Sequence, residues 1–267
     1  MIKADMHIHS TVSDGSFSIA DIVKRAEDNG LDAVVITDHD TLSHANRLVH
    51  SNKVKVLAGV EISAFDYAKN FRVHILGYNI QKPDVLEKVV SPTLEARHYN
   101  SMRQIEILNQ NGYEIDISKM PRADKKYIYK QHIMDYLVAN GKADEMFGEF
   151  YYKTFKNNGI CHFDIEYVNP IMAVRAIKTA GGLAVLAHSG QQQNFELIPE
   201  LVKNGLDGLE LNHHANSEKD KIIIREYAEK FGLFLTGGSD FHGRYEPNSP
   251  DVGDYISEQS GVEKIIG

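Results

Sequence analysis

The side chains able to do chemistry in this chain fall into short clusters. His7 and His9 are followed by Asp14 within Ser13-Asp14-Gly15. Next come His39 within Thr37-Asp38-His39-Asp40, then Glu61, His74 and His188, and finally Asp240 and His242 within Ser239-Asp240-Phe241-His242-Gly243. Each cluster adjoins a short apolar run rich in Val, Ile or Leu, the pattern of a buried strand. Imidazoles and carboxylates are thus expected at the ends of successive strands. Several such groups converging at one end of a barrel make a multi-metal site, whose commonest chemistry is hydrolysis, usually of a phosphate ester.

Spacing supports ligation. Residues at i and i+2 of a strand share a face, so His7 and His9 can hold one ion while Ile8 points into packing. Asp240 and His242 repeat that spacing. Gly15 lets the chain fold tightly beside Asp14, and Glu61 has two oxygens with which to bridge ions. Mixed nitrogen and oxygen donors suit manganese, iron or zinc better than magnesium or calcium. His44, His50, His98 and His162 lack this clustering and read as packed or surface histidines.

The elements that must position these residues follow from the same pattern. Strands are expected over residues 2–8, 33–36, 54–60, 72–77, 183–187, 208–211 and 234–236. Helices are expected over 19–29, 41–51, 170–180, 198–205 and 217–231, with Ser18 as an N-cap and Gly30 as a stop. This strand–helix rhythm argues for a parallel sheet or barrel. It breaks near Pro83. Residues 83–169 read as a mainly helical inserted cap, with helical patterns over 85–112 and 127–140. Residues 1–82 and 170–267 form the metal-binding barrel. The aromatic run Phe147, Phe150, Tyr151, Tyr152 and Phe155 reads as the apolar face packing the cap onto the barrel, with stacking on a nucleobase as the alternative.

Composition sets bounds. The chain has 267 residues, 42% hydrophobic and 25% charged, as in an ordinary globular enzyme. An α/β barrel fills ~250 residues. A formal net charge of −8 does not invite a polyanion, so a phosphorylated substrate needs a local positive feature. Three divalent ions among three carboxylates would supply about +3. Cys161 is the one cysteine, so no intramolecular disulfide forms. No signal-like or membrane-length apolar run is seen, and a cytoplasmic location is expected.

Together, Asp5-Met6-His7-Ile8-His9, Ser13-Asp14-Gly15, Thr37-Asp38-His39-Asp40, Gly59-Val60-Glu61, His74, Ala187-His188 and Gly237-Gly238-Ser239-Asp240-Phe241-His242-Gly243 resemble the motif set of the polymerase-and-histidinol-phosphatase (PHP) family. The resemblance spans the chain, in the family's order. It implies a distorted (β/α)7 TIM-like barrel with a trinuclear metal site. By resemblance His7, His9, Glu61 and Asp240 hold one ion, and Asp14, His39 and His242 a second. Glu61, His74 and His188 hold the third. Asp5 and Asp38, beside ligand histidines, are expected to accept the other imidazole N–H.

The expected activity is metal-dependent hydrolysis of a terminal phosphate monoester on a small nucleotide, a nucleoside monophosphate or 3′,5′-bisphosphate. Glu61 and Asp240 are catalytic through the metals. His213, just past a strand end, is the candidate acid for the leaving group and a substrate contact, with a surface histidine as the alternative. Tyr129-Lys130-Gln131-His132-Ile133 resembles a cap motif of the family's nucleotide-phosphatase branch, which makes Lys130 and His132 substrate-binding candidates. Lys130 stands where that branch usually has Arg, and a lysine cannot grip phosphate as a bidentate fork. Ser189, Gln191 to Gln193 and Asn216 depart from the branch as well. Arg122, Lys125 and Lys126 read as a solvated helix face. The rival readings are a 5′→3′ exonuclease on short oligonucleotides, a histidinol-phosphate phosphatase and a non-catalytic metal-binding module.

Overall fold

The computed structural model describes residues 2–120, 122, 126–246 and 250–267, so Lys125 lies outside the described residues. The strands are β1 (Ala4–Ile8), β2 (Ala33–Ile36), β3 (Lys55–Asp66), β4 (Phe71–Tyr78), β5 (Leu183–Leu186), β6 (Gly208–Asn212) and β7 (Phe234–Gly237). The helices are α1 (Ile19–Asp28), α2 (Pro83–Gln110), α3 (Lys130–Ala139), α4 (Glu149–Phe155) and α5 (Pro170–Thr179), then α6 (Ser189–Gln192), α7 (Ile198–Lys203), α8 (Glu218–Phe231) and α9 (Gln259–Ile265).

The strands form one seven-stranded sheet in sequence order. Its ends nearly close on each other. Ile8 bridges Phe241, the His9 N–H donates to the Phe241 carbonyl at 3.0 Å, and the Asp240 N–H donates to the His7 carbonyl at 2.8 Å. The result is a distorted TIM-like barrel. The distortion is at β4, which pairs antiparallel with both β3 and β5, whereas a parallel arrangement was expected. Only four residues join β3 to β4, too few for the dozen or more that a parallel crossover requires.

Local sequence explains the flanking helices. Ser18 caps α1 by accepting from the Asp21 N–H, and Ser217 with Asp220 forms a capping box on α8. Expected residues 41–51 instead form a short 3-10 turn, Ser43–Arg47. Its N-terminal residue, Leu42, offers no side-chain cap.

Two apolar cores matter for the site. One lies between the barrel and its helices and includes Val60, Ile62, Ile75, Val174, Ile177 and Leu209. The other gathers residues of the segment between β4 and α5, called the cap below, and includes Ile105, Leu108, Ile133, Leu137 and Phe155. Helix α2 runs from one to the other, burying Leu86 and Val90 in the first and Ile105 and Leu108 in the second. The aromatic run serves the cap's own core, where Phe147, Phe150 and Tyr151 pack. The barrel reaches that core through Tyr245. No helix among the described residues is long and apolar enough to cross a membrane.

Candidate metal centre

Strand ends deliver the candidate ligands to one place. His7 and His9 come from the end of β1, and Asp14 and His39 from the loops after β1 and β2. Glu61 and His74 lie within the β3–β4 pair, and His188, Asp240 and His242 follow β5 and β7. The antiparallel β4 presents His74 opposite Ser63. All but His74 are buried, and His74 is partly so.

Glu61 stands at the middle. Its Oε2 lies 3.2 Å from His7 Nε2, 3.0 Å from His9 Nε2 and 3.3 Å from His39 Nδ1. Its Oε1 lies 2.7 Å from His74 Nδ1 and 2.9 Å from His188 Nε2. Asp240 Oδ1 approaches His7 and His9 Nε2 at 3.3 and 3.1 Å. Asp14 lies 3.6 Å from His9, 3.8 Å from His39 and 3.7 Å from His242. Two four-residue sets have ligand atoms within 4.8 Å of one another: His7, His9, Glu61, Asp240 and His9, Asp14, His39, His242. His39, Glu61 and His74 make a further set; His188 joins through Glu61.

These residues fit metal ions. His7 Nε2, both ring nitrogens of His9, Asp14 Oδ1 and Asp240 Oδ1 are buried without a hydrogen-bond partner among the described residues. Their close approaches lack hydrogen-bond geometry. Leaving so many polar atoms unpaired costs ~1–3 kcal/mol each, and cations between them would remove that cost. The field also favours positive charge. Burial opposes protonation of His7 and His9. Even so, Asp240, Glu210 and Glu61 hold His7 well above the usual imidazole range, and Asp240 and Glu61 raise His9 to about 10. Burial also opposes ionisation of Glu61, but His39, His74 and His7 keep its carboxyl well below the usual range. His39 goes the other way, pushed by burial down to about 3.

The backbone is strained where ligands are presented. Asp240 and His188 take positive φ of 54° and 24°, a conformation that non-glycine residues keep only when their surroundings enforce it. A Cβ on Gly238 would lie 2.4 Å from His7 Cβ, so this glycine lets the Asp240 loop lie against β1.

A shell of fixed polar groups supports the ligands. Glu210 was missed by sequence reasoning, although a carboxylate in the middle of the apolar strand β6 was a readable signal. Fully buried, it lies 2.9 Å from His7 Nδ1 through Oε1 and accepts the His188 N–H at 2.8 Å through Oε2. This is the role expected of Asp5 and Asp38, and those two do otherwise. Asp5 accepts from the Ser239 hydroxyl and from the Ser239, Gly253 and His7 amides. Burial raises its pKa to about 6. Asp38 accepts from Ser10 and Ser13 and lies 3.2 Å from His44, a buried histidine outside the ligand set. Both aspartates therefore hold loops. His213 is buried, with Nε2 3.3 Å from Asp240 Oδ2 and Nδ1 accepting from the Ala215 N–H at 3.1 Å.

Beside the centre lies a cavity of about 280 Å³, lined in part by Asp14, His39 and His74. Arg72, Arg97, Lys130 and Lys156 also line it, and Asp14 is the one carboxylate among the described lining residues. Burial and the neighbouring Lys156, Arg97 and Arg72 lower the Lys130 pKa to about 8. Arg97 donates to Asp40 Oδ2 and Ser63 Oγ, each at 3.0 Å. His132 is not on the cavity wall. It is buried and its Nδ1 accepts the Tyr129 N–H, capping α3. Arg122 and Lys126 lie in an irregular segment before α3 rather than on a helix. Sequence reasoning missed Arg72, Arg97 and Lys156, which are scattered along the chain and converge only in the fold.

A nearly closed barrel whose strand ends gather histidines and carboxylates defines a metal-dependent phosphoesterase, a hydrolase. The PHP domain model matches residues 5–232, and the chain belongs to that family. It is 38% identical to the phosphoribosyl 1,2-cyclic phosphate 1,2-diphosphodiesterase of Eggerthella lenta, covering 90% of this chain and 94% of the relative. It is 27% identical to the 3′,5′-nucleoside bisphosphate phosphatase of Chromobacterium violaceum, covering 95% and 91%. The solved structure of a Bifidobacterium adolescentis protein, assigned as a metal-dependent phosphoesterase, superposes with a TM-score of 0.86 at 27% identity. That match covers 98% of this chain and 95% of that one.

Proposed function

We propose that the protein hydrolyses a phosphoester of a small ribose compound that carries a second phosphate. It would work with three divalent ions, manganese foremost and iron or zinc as alternatives. The observation that carries this reading is a cavity lined both by the metal-ligand candidates Asp14, His39 and His74 and by four cationic side chains. The scissile phosphate belongs at the histidine–carboxylate centre. The other belongs among Arg72, Arg97, Lys130 and Lys156, where charge-assisted hydrogen bonds are about twice as strong as neutral ones. The volume of about 280 Å³ lies at the small end of ligand pockets, which favours a sugar phosphate. The names of the Eggerthella and Chromobacterium relatives support a substrate with two phosphate positions. A nucleoside 3′,5′-bisphosphate is the second reading, favoured by the Tyr151, Phe163 and Tyr167 rings on the wall, which offer faces to a base.

In the proposed assignment His7, His9, Glu61 and Asp240 hold one ion, Asp14, His39 and His242 a second, and Glu61, His74 and His188 a third. When bound, the ions lower the pKa of a water and clamp phosphoryl oxygens. The chain's own groups do the rest. Glu210 accepts the His7 Nδ1 proton, which fixes the tautomer and turns Nε2 inward. Because His213 Nδ1 accepts the Ala215 N–H, its Nε2 carries the proton toward Asp240 Oδ2, 3.3 Å away, and is the candidate donor to a leaving oxygen bound beside that carboxylate. Lys130 and its cationic neighbours orient the distal phosphate.

The test is product release by protein loaded with Mn²⁺. The panel holds 5-phosphoribosyl 1,2-cyclic phosphate, adenosine 3′,5′-bisphosphate, 5′-AMP, histidinol phosphate and a 5′-phosphorylated RNA trimer. Chelator-sensitive turnover at least about tenfold better on the first two supports the proposal, since one charged contact is worth ~1.5–3 kcal/mol. Equal or better turnover of 5′-AMP, histidinol phosphate or the trimer overturns it.

A further inference from the structure

We infer that Gln131 is a positioning residue that ties the cap to Asp14, so that retention of the ion at Asp14, His39 and His242 depends on the cap. The inference rests on the ligation proposed above for Asp14. Gln131 is the second residue of α3 and lines the cavity next to Lys130. Its Nε2 donates to Asp14 Oδ2 at 2.9 Å. An ionised carboxylate only accepts hydrogen bonds, so the nitrogen of the amide, not the oxygen, must face it. Asp14 is thereby divided. Oδ2 is held by the cap and lies 3.8 Å from His39 Nε2, while Oδ1 is buried, has no hydrogen-bond partner among the described residues, and lies 3.6 Å from His9 Nδ1 and 3.7 Å from His242 Nε2. The amide thus leaves Oδ1 as the oxygen available to a cation.

Two further contacts from the cap reach the same part of the centre. The Tyr129 hydroxyl donates to the His39 carbonyl at 3.0 Å, from the residue that caps α3. Arg97 of α2 donates to Asp40 and Ser63, and Ser63 Oγ lies 3.4 Å from His39 Nδ1. Asp14 and His39 are therefore oriented partly by the cap, whereas His7 is held by Glu210 of the barrel itself. A primary amide nitrogen carries two hydrogens; among the described residues one bonds Asp14, and Gln131 also lines the cavity. Gln131 is thus placed to contact both a metal ligand and the substrate.

The experiment is a titration of metal-free protein with Mn²⁺, following free Mn²⁺ by electron paramagnetic resonance, so that no turnover is needed. Gln131→Met keeps the side-chain length and removes the donor. One Mn²⁺ site is expected to weaken about 10–100-fold in this variant while the remaining sites keep their wild-type affinity, the range for losing a partner of a ligand. Lys130→Met, one residue away and without a bond to a ligand, is expected to leave every Mn²⁺ site as tight as in wild type. Equal melting temperatures of metal-free wild type and Gln131→Met check that the cap still folds. Identical Mn²⁺ isotherms for wild type and Gln131→Met overturn the inference. Failure of the wild type to bind Mn²⁺ at all overturns the proposed ligation, and the inference with it.

Discussion

The metal centre and the adjoining cavity share Asp14, His39 and His74 but have opposite electrostatic character. In the centre, buried carboxylates outweigh the cost of burial and raise the basicity of His7 and His9. In the cavity, burial and the crowding of Arg72, Arg97, Lys130 and Lys156 lower the basicity of two of them, Lys130 and Lys156. One region gathers cations and the other anions. Such a gradient would orient the proposed substrate with two phosphates in a chain whose net charge is −8. The two regions are also built differently. The centre comes from strands and strained loops of the barrel, and the cavity from α2, α3, α4 and the segment after it, packed against β3 and β4.

The largest effect expected is in the centre. Asp240→Ala should lower kcat by ~10³-fold or more, because the carboxylate faces both His7 and His9 and belongs to a charge-stabilising site worth several kcal/mol. Circular dichroism should show the fold retained. A change confined to KM would mean that Asp240 serves the cavity rather than the centre.

On the cavity side, Lys130→Ala should raise KM for a doubly phosphorylated substrate by roughly 10–150-fold, the equivalent of ~1.5–3 kcal/mol for a charged contact. Singly phosphorylated substrates should be little affected. Steady-state kinetics on both classes would separate this from general damage, which would affect both.

Glu210→Gln should cost about 10–100-fold in metal affinity or activity, because it weakens the acceptor that fixes His7. Mn²⁺ titration checks it. Wild-type affinity would mean that the His7 ring is held by packing alone.

The smallest effect expected is a pH dependence. Lys130, with a pKa near 8, is charged below that value and neutral above it. Binding of the distal phosphate should therefore weaken several-fold as pH rises across about one unit above 8, seen in kcat/KM. Lys130→Arg keeps its charge at all these pH values and should flatten the profile. An unchanged profile would assign the titration to another group.

The two regions were unequally legible in the sequence. Most candidate ligands could be read because they adjoin a strand end, and a buried strand announces itself by a run such as Ala33-Val34-Val35-Ile36; Glu61 and His74 instead lie inside β3 and β4, which run on past them to Asp66 and Tyr78. All seven strands and most helices lie close to where periodicity puts them. The antiparallel β4 was missed because apolar alternation says nothing of direction; the short link between Asp66 and Phe71 does. The cavity was hardly legible at all. Arg72, Arg97, Lys130 and Lys156 are distant in sequence, and no local pattern distinguishes them from solvated surface charges. His132 belongs to the same cap motif as Lys130, yet it caps the helix while Lys130 lines the cavity. A short motif fixes residue order; the helix turn decides which side chain reaches the ligand.

The most direct test crosses the two regions: kcat/KM of wild type and Lys130→Ala, each with adenosine 3′,5′-bisphosphate and 5′-AMP, and with 5-phosphoribosyl 1,2-cyclic phosphate and its analogue lacking the 5-phosphate. The account predicts that wild type prefers the doubly phosphorylated member of at least one pair by about tenfold or more. It also predicts that the preference collapses in the variant. A wild type indifferent to the second phosphate, or a preference that survives intact in Lys130→Ala, would contradict the division into a metal centre for one phosphate and a cationic cavity for the other.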